Sequence, residues 1–401
     1  MSVNLPEFIF VCAQNGAEGV CKREILQQWP KLRFAFSRPG FLTFKLTVGF
    51  QFEPRFDLKS VFARCSGFST AKLAWDGSAE FAAKMCELLA SFHGQHIHIW
   101  NRDLHLPGTI LKPHELQPGQ STQLYVPGTS AKLSGLVDQI SNLAESIDPG
   151  RFKINCETNL SDRVFDVIMV EPDQIWTGWH IAASFPSRWP GGIPRIETPE
   201  RMISRAYLKI SEALQWSRLP LQAGDLCVEI GAAPGGNCQA LLGRGAKVIG
   251  VDPAEMDPEI SAHPNFTYMR CRGAEIRCRD LRHVKWLFAD TNVAPKHTLD
   301  TIERIVTNEA VHIRGMILTI KLPDLELAVE VADYLSRIRG WGFGYVKARQ
   351  LAYNRNEFCV AALRNKGMLR FEKRSARSKR REDDKTTEVE PPSAVAAQSD
   401  V

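Results

Sequence analysis

The sequence predicts an α/β fold for its second half, with a mostly parallel sheet covered by helices on both faces, preceded by an α+β first half. After residue 200, apolar runs typical of buried strands alternate with helical patterns. A glycine-rich turn follows the first of these runs. In the first 190 residues, short β-like runs are mixed with helical patterns instead.

The first half is predicted to span residues 1–185. Its clearest β-like runs are residues 8–11 and 41–44, and its helical patterns lie near residues 16–29, 80–93 and 130–147. Exposed cations beside aromatic rings are candidates for RNA contact. These candidates are Lys31, Arg33, Arg38 and Phe41.

Residues 186–199 are predicted to form an ordered linker. This segment is rich in proline and glycine, so it cannot continue a helix or a central strand. Arg188 and Arg195 lie in it and are candidates for phosphate contacts.

The second half, residues 200–366, is predicted to contain a seven-stranded, mostly parallel sheet. The apolar runs that would form its strands are residues 226–230, 247–251, 266–269, 286–289, 316–320, 345–348 and 358–363. Ligands of such sheets bind at the carboxyl ends of the strands. Asp290 and Lys321 each follow one of these runs directly, so we expect both at that edge.

The chain ends in a segment with the composition of a disordered tail, residues 367–401. Residues 364–381 hold nine Lys/Arg and one acid (+8), whereas residues 382–401 hold one Lys and six acids (−5). Removing this +3 from the net charge of +5 leaves +2 on the rest of the chain. Any nucleic-acid binding by the folded part must therefore depend on local basic patches.

Composition also excludes several classes of protein. No apolar run is long enough to span a bilayer, and the first sixteen residues lack the features of a secretory signal, which predicts a cytoplasmic protein. The ten cysteines are irregularly spaced without a Cys-x-x-Cys pair, so we expect neither a disulfide framework nor a metal site.

The most informative segment is an apolar strand that runs into a glycine-rich turn, residues 227–236. Gly231, Gly235 and Gly236 would let a cofactor approach the backbone, and Asp252, after the next strand, could accept hydrogen bonds from both ribose hydroxyls of an adenosine. The turn is not Gly-x-Gly-x-x-Gly, and Pro234 removes an amide that would bind pyrophosphate. The pattern therefore favours S-adenosylmethionine over a dinucleotide.

These residues resemble a known family. The segment Glu229-Ile-Gly-Ala-Ala-Pro-Gly-Gly236 looks like the cofactor motif of the FtsJ-like RNA ribose 2′-O-methyltransferases, and Ser204-Arg-Ala-Tyr-Leu-Lys209 resembles a second motif of that family. Within the family, the ribosomal RNA large subunit methyltransferase M group is the most similar. The shared segments are Ser187–Pro194, Lys321-Leu-Pro323 and Arg349-Gln-Leu351.

The resemblance implies a Rossmann-like S-adenosylmethionine-dependent methyltransferase domain with a Lys-Asp-Lys-Glu catalytic tetrad. Carried over residue by residue, the tetrad is Lys209, Asp290, Lys321 and Glu357. Lys321 would act as the base or would steer the ribose hydroxyl, and Lys209 would supply a neighbouring positive charge. A lysine base must be partly neutral, yet the two carboxylates would raise its pKa, and the sequence leaves this balance open.

The cofactor and RNA contacts implied by the motifs follow. The cofactor-binding candidates are Glu229, Gly231, Ala232, Ala233, Pro234, Gly235, Gly236, Asn237, Asp252, Gly273 and Asp290. The RNA-binding candidates are Arg188, Arg195, Ser204, Arg205 and Arg349. Two positions depart from the family pattern: Asn237 replaces the usual aromatic residue, and Gly273 stands where an acidic residue often reads the adenine.

The resemblance further implies an RNA-binding first half, with a THUMP-like module linked to the enzyme by a ferredoxin-like or related α+β piece. The expected substrate is RNA, with a cytidine of 23S (large-subunit) ribosomal RNA as the target. Two alternatives stay open: 2′-O-methylation of transfer RNA or another RNA, and an RNA-binding factor of the same fold that has lost turnover. The residues predict neither an oligomeric state nor a membrane partner.

Overall fold

The structure is a computed structural model that describes residues 6–116 and 124–365. The predicted charged tail, residues 367–401, lies outside the described residues. Within the described ranges, the helices are all too short or too polar to cross a membrane.

The described residues of the first half form eight strands and three α-helices. In chain order these are β1 (Phe8–Cys12), α1 (Glu18–Gln28), β2 (Leu32–Arg38), β3 (Phe41–Leu46), β4 (Cys65–Ala74), α2 (Ala79–Ser91), β5 (His96–Asn101), α3 (Leu133–Ile147), β6 (Lys153–Ile154), β7 (Arg163–Glu171) and β8 (Gln174–Ile181). The predicted strands and helices are all present, with ends that differ by a few residues.

One continuous sheet, in the order β2-β3-β1-β4-β8-β7-β5-β6, crosses the whole first half. The resemblance implied two joined α+β pieces, but the antiparallel pairing of β4 with β8 fuses four strands from residues 8–74 with four from residues 96–181. The apolar sides of α1, α2 and α3 pack on one face of this sheet.

The other face of the sheet is strongly concave. Four strand spacings separate β2 from β8, which would be about 19 Å in a flat sheet. Nevertheless the ring of Phe36 on β2 stacks at 5.3 Å on Trp176 of β8. This curvature also places Phe41 in the interior and pairs Arg38 with Glu171 at 2.8 Å. The expectation that Phe41 contacts RNA is therefore wrong, and the charge of Arg38 is already paired.

The Pro/Gly-rich segment at residues 186–192 packs against the concave sheet. Two short 3-10 turns, Pro186–Arg188 and Pro190–Gly192, hold it there. Gly191 adopts a positive φ of 58°, and a Cβ at this position would lie 3.1 Å from the indole of Trp100. A glycine is needed for this close approach.

In the second half, the part of the chain that the structure describes forms seven strands and five α-helices. These are α4 (Ala206–Ser217), β9 (Leu226–Ile230), α5 (Gly236–Leu242), β10 (Lys247–Val251), α6 (Pro258–Ser261), β11 (Phe266–Met269), β12 (Trp286–Ala289), α7 (Pro295–Val306), β13 (Gly315–Lys321), α8 (Val331–Gly340), β14 (Tyr345–Arg349) and β15 (Glu357–Leu363).

The second sheet has the order β11-β10-β9-β12-β13-β15-β14, in which the first five strands are parallel and β15 is antiparallel to both of its neighbours. Apolar residues of α4 and α5 cover one face, and those of α7 and α8 cover the other. The predicted α/β class is confirmed. Because β15 is antiparallel, its first residue lies at the edge where the parallel strands end.

Several bonds to loop carbonyl groups connect the two halves. The backbone amide of Gln350 donates to Val61 O at 2.7 Å, and the guanidinium of Arg349 donates to Ala63 O at 2.9 Å. Farther along the same loop, Arg355 donates to Pro107 O of the first half at 2.9 Å. These bonds tie the loop before β15 to the first half.

We expect Arg64→Ala to destabilise the first half strongly. Arg64 forms a fully buried ion pair with Asp103, with N···O distances of 2.6 and 2.8 Å, and donates to Gly191 O of the linker at 2.7 Å. Truncation would leave the Asp103 carboxylate buried and unpaired, at a cost of about 3–5 kcal/mol. Chemical denaturation should show an earlier unfolding midpoint. The control, Arg38→Ala, breaks an exposed pair and should cost less than about 1 kcal/mol.

Candidate active site

Two lysines and two acids meet at the carboxyl edge of the second sheet. Asp290 directly follows β12, Lys321 ends β13, and Glu357 begins β15, where strand register sets it opposite Lys321. Lys209 reaches the same point from α4. The sequence placed Asp290 and Lys321 at this edge, and the structure brings all four predicted tetrad residues together.

The four side chains alternate in charge. Lys209 and Lys321 each contact both acids: Lys321 Nζ lies 3.0 Å from Asp290 Oδ1 and also bonds Glu357 Oε2. Lys209 Nζ bonds Asp290 Oδ2 and lies 3.2 Å from Glu357 Oε1. The side chains are only 6–19% exposed, so each charge depends on the others for compensation.

The sequence left open whether burial or the two carboxylates would dominate the pKa of Lys321, and the structure indicates that the carboxylates do. Burial by itself would lower the pKa of Lys321, but the carboxylates of Asp290 and Glu357 outweigh it and raise that pKa above its usual range. Burial likewise opposes the charge on Asp290, but the two ammonium groups lower the pKa of its carboxyl. In this state Lys321 is therefore an ammonium group at neutral pH.

A cavity of about 490 Å³ opens beside the tetrad, along the carboxyl ends of β9, β10 and β12. Asp290 lines this cavity and also bonds both lysines, so it belongs to both places. Five predicted cofactor residues line the cavity: Gly231, Ala233, Asp252, Gly273 and Asp290. The volume suits an elongated nucleoside-sized ligand.

The shape of the cavity depends on Gly231. This residue has a φ of 84°, and a Cβ would lie 2.6 Å from the carbonyl oxygen of Asp290, so a larger residue would force the two loops apart. At the other end, the carboxylate of Asp252 accepts backbone bonds from Ala233 (3.2 Å) and Ala254 (2.8 Å) and stays partly exposed. The remaining lone pairs of this carboxylate can accept hydrogen bonds from the hydroxyls of a ribose.

The other six predicted cofactor residues are not among the residues that line this cavity: Glu229, Ala232, Pro234, Gly235, Gly236 and Asn237. Gly235 packs against Ile260, and Gly236 packs against Ser204. The glycines at these two positions thus serve packing as well as backbone conformation. A sequence motif identifies the loop, but it does not indicate which residues of the loop line the cavity.

Glu229 and Asn237 form a buried polar pair beneath the turn. Asn237 Nδ2 donates to Glu229 Oε1 at 2.8 Å, while Glu229 Oε2 and Asn237 Oδ1 find no partner among the described residues. Burial raises the pKa of the Glu229 carboxyl well above its usual range, although the bond from Asn237 opposes this. A proton on Oε2 can then be donated to Asn237 Oδ1, which would satisfy both atoms as a neutral acid–amide pair.

Several residues that line the cavity were not predicted from the sequence. Arg272 precedes Gly273, Thr291 and Asn292 follow Asp290, and the start of α7 contributes His297. Their nearness in sequence to Gly273 and Asp290 could have indicated the first three. His297 gave no such signal, because only packing brings α7 to this edge.

Two of the RNA-binding candidates are engaged in internal bonds. Arg349 donates to the carbonyls of Ala63 and Arg64, which holds the two halves together. Arg188 donates to Thr158 O at 2.5 Å and pairs with Glu157 at 2.7 Å. Any phosphate contact by Arg188 or Arg349 would have to use the N–H donors that these internal bonds leave over.

The other three candidates differ in accessibility. Arg195 is exposed, whereas Ser204 packs against Gly236. Arg205 precedes α4 at the junction between the halves and donates to Tyr353 O at 3.3 Å.

Glu212 was not singled out in the sequence, yet it fixes the loop that carries Glu357. Its buried carboxylate accepts the backbone amides of Ala352 and Tyr353 at 2.9 and 3.1 Å. Burial raises the pKa of this carboxyl to about 7. Glu212 and Lys209 both belong to α4. This helix therefore supplies one tetrad residue and also holds the loop that leads to another, Glu357.

The fold and site agree with a family comparison. Residues 202–378 match the family described as FtsJ-like methyltransferase, so the second half is similar to methyltransferase domains of that type. Such domains use S-adenosylmethionine, which confirms the predicted cofactor.

The predicted similarity to one group of relatives is also confirmed. The ribosomal RNA large subunit methyltransferase M of Laribacter hongkongensis is 32% identical over 183 residues, or 43% of this chain and 51% of the relative. Its counterpart in Azotobacter vinelandii is 33% identical over 183 residues, 42% and 50% respectively. The chain therefore spans about half the length of the curated relatives that it matches. Among solved structures, the Methanococcus jannaschii fibrillarin pre-rRNA processing protein matches 51% of this chain and 84% of its own, with a TM-score of 0.33 and 9% identity.

We expect Glu229→Gln to leave the unfolding midpoint and the affinity for S-adenosylmethionine nearly unchanged. A glutamine amide can form the same two bonds with Asn237 as a protonated glutamate. In contrast, Asn237→Asp should destabilise the domain by about 1–3 kcal/mol, because it sets two acids together in a buried place. Thermal unfolding and calorimetric titration would measure both effects. A large loss of stability in Glu229→Gln would mean that Glu229 is ionised.

Proposed function

We propose that this protein transfers the methyl group of S-adenosylmethionine to a ribose 2′-hydroxyl of RNA. The observation that carries this proposal is the alternating Lys209-Asp290-Lys321-Glu357 arrangement beside the cavity, joined to it through Asp290. We further propose large-subunit ribosomal RNA as the substrate, supported by the similarity to the methyltransferase M relatives. A cytidine as the target is what the family resemblance of the sequence implies.

The roles of the tetrad follow from counting hydrogen-bond donors. An ammonium group has three N–H donors. Lys321 uses two of them on Asp290 and Glu357, which leaves one to steer the ribose oxygen toward the methyl group. The bound cofactor would supply the electrophilic methyl. We propose that Lys321, once it has released its own proton, accepts the proton of the ribose hydroxyl, and that Lys209 holds the two carboxylates in place.

RNA would be held by both halves. We propose that the first half is an RNA-binding region of the THUMP type, and that Arg195 and Arg205 contact the strand from the second half. Both arginines lie outside the ion pairs formed among the described residues, and Arg195 is exposed. Ser204 would act indirectly, through its packing on the cofactor turn.

We expect Lys321→Ala to bind S-adenosylmethionine with near-normal affinity but to lose methyl transfer by about 10²–10⁴-fold, the usual contribution of a positioned base. The assay uses labelled cofactor and total RNA from cells that lack the gene. Because 2′-O-methylation blocks alkaline cleavage, the label should appear in alkali-resistant dinucleotides. Mapping these would identify the target.

The control is Lys347→Ala, which removes an exposed lysine from β14 and should retain full activity. Label that is transferred to alkali-sensitive nucleotides would point to base methylation. If the wild-type protein binds cofactor and RNA but transfers no label to any RNA, the chain is an RNA-binding factor without turnover.

The pH dependence of turnover should report the state of Lys321. Its pKa is raised by Asp290 and Glu357, so the neutral, proton-accepting form is scarce at neutral pH. As pH rises toward that pKa, the neutral fraction increases about tenfold per unit. Turnover at saturating RNA and cofactor should therefore rise from pH 7 to 9. A flat profile would mean that Lys321 steers the hydroxyl as an ammonium group and accepts no proton.

A further inference from the structure

Two arginines from the second half contact the same turn of the first half, immediately beside the tetrad. Arg355 donates to the carbonyls of Pro107 and Gly108 at 2.9 and 3.1 Å. Arg205 donates to Tyr353 O, and its guanidinium lies against Gly108. Gly108 has a φ of 71°, and any side chain there would collide with Arg205. The turn at residues 107–108 thus brings the two cations together.

This pair carries uncompensated positive charge. Among the described residues, no acid lies within ion-pair distance of Arg205 or Arg355. Burial, followed by the charge of Arg355, lowers the pKa of Arg205, and the more distant acids Glu357 and Asp290 offset this only in part. The tetrad itself sums to zero charge, so the two arginines leave a net charge of +2 beside it.

Both arginines are only a few residues away from a member of the tetrad. Arg205 lies one helical turn before Lys209, and residues four apart share one side of a helix. Arg355 lies two residues before Glu357, at the entry to β15. Each arginine is therefore joined through a short stretch of backbone to a tetrad member, and Arg355 is exposed to an approaching strand.

We propose that Arg205 and Arg355 together bind one phosphodiester of the RNA strand next to the target ribose. The inference rests on the proposed function, because it needs a ribose bound at Lys321. In that ribose, C2′ carries the target hydroxyl and the adjacent C3′ carries the 3′-phosphate, so a phosphate would lie close to the tetrad. Arg355 uses two of its five N–H donors on carbonyls and Arg205 uses one, which leaves donors for a bidentate phosphate contact. Binding of the phosphate would also set the ribose in register with the tetrad.

The test measures the affinity for a single-stranded RNA of about twenty mixed nucleotides at several salt concentrations. Each phosphate contact on a single strand contributes about 0.7 to the slope of log affinity against log salt. Because the two arginines share one phosphate, the double variant Arg205→Gln, Arg355→Gln should lower the slope by about 0.7, and Arg355→Gln alone should lower it by a smaller, measurable part of that amount. Arg339→Gln removes one exposed charge from α8, away from the junction, and should leave the slope unchanged.

Arg355→Lys separates the charge from the docking role. Lysine keeps the positive charge but cannot reproduce the two-carbonyl contact, so a phosphate site predicts a slope close to that of the wild type. If Arg355→Lys and Arg355→Gln lose the same slope, Arg355 acts only by docking the halves, and the proposal fails. It also fails if Arg355→Gln matches Arg339→Gln. Cofactor affinity and the unfolding midpoint, measured in parallel, would reveal a folding defect.

Methyl transfer by the wild-type protein distinguishes this proposal from the proposed function. A wild-type protein that binds the RNA with the expected loss of slope in Arg355→Gln, but methylates no RNA, would keep the phosphate site and overturn the enzymatic role. Methylation by the wild type together with an unchanged slope in Arg355→Gln would do the reverse.

Discussion

Compensation of four buried charges is the constraint on which the second half of this protein depends. Lys209, Asp290, Lys321 and Glu357 are each largely buried, and any one of them alone would be costly in that place. They come from a helix, a loop and two strands that are distant in sequence. The antiparallel β15 is necessary for this arrangement, because only a strand running in that direction begins at the edge where β12 and β13 end.

Asp290 links the charge arrangement to the cofactor cavity. Its side chain bonds the two lysines, and its backbone lies against Gly231 so closely that a Cβ would collide. The distance between cofactor turn and tetrad is therefore set by direct contact and not by flexible side chains. Glu229 and Asn237 form a buried polar pair beneath the same turn. When Glu229 is protonated, this pair is neutral and its hydrogen-bonding groups can all be used within the pair.

The junction between the halves is part of the site. The loop before β15 is fixed from one side by Glu212 and from the other by contacts with the first half, including Gln350 with Val61 and Arg355 with Pro107. Glu357 can reach the lysines because this loop is held in place. The same contacts bring Arg205 and Arg355 together beside the tetrad.

The sequence by itself determined the α/β class, the cofactor turn after β9 and the carboxyl-edge positions of Asp290 and Lys321, because apolar periodicity and glycine placement report backbone conformation and burial directly. Only the tertiary structure decided which partners the side chains meet. Arg349 belongs to a family motif and was expected to contact RNA. In the structure it donates hydrogen bonds to carbonyls of residues that lie more than 280 positions earlier in the sequence. The fused first sheet and the raised pKa of Lys321 likewise depend on contacts between distant segments, which a local pattern does not encode.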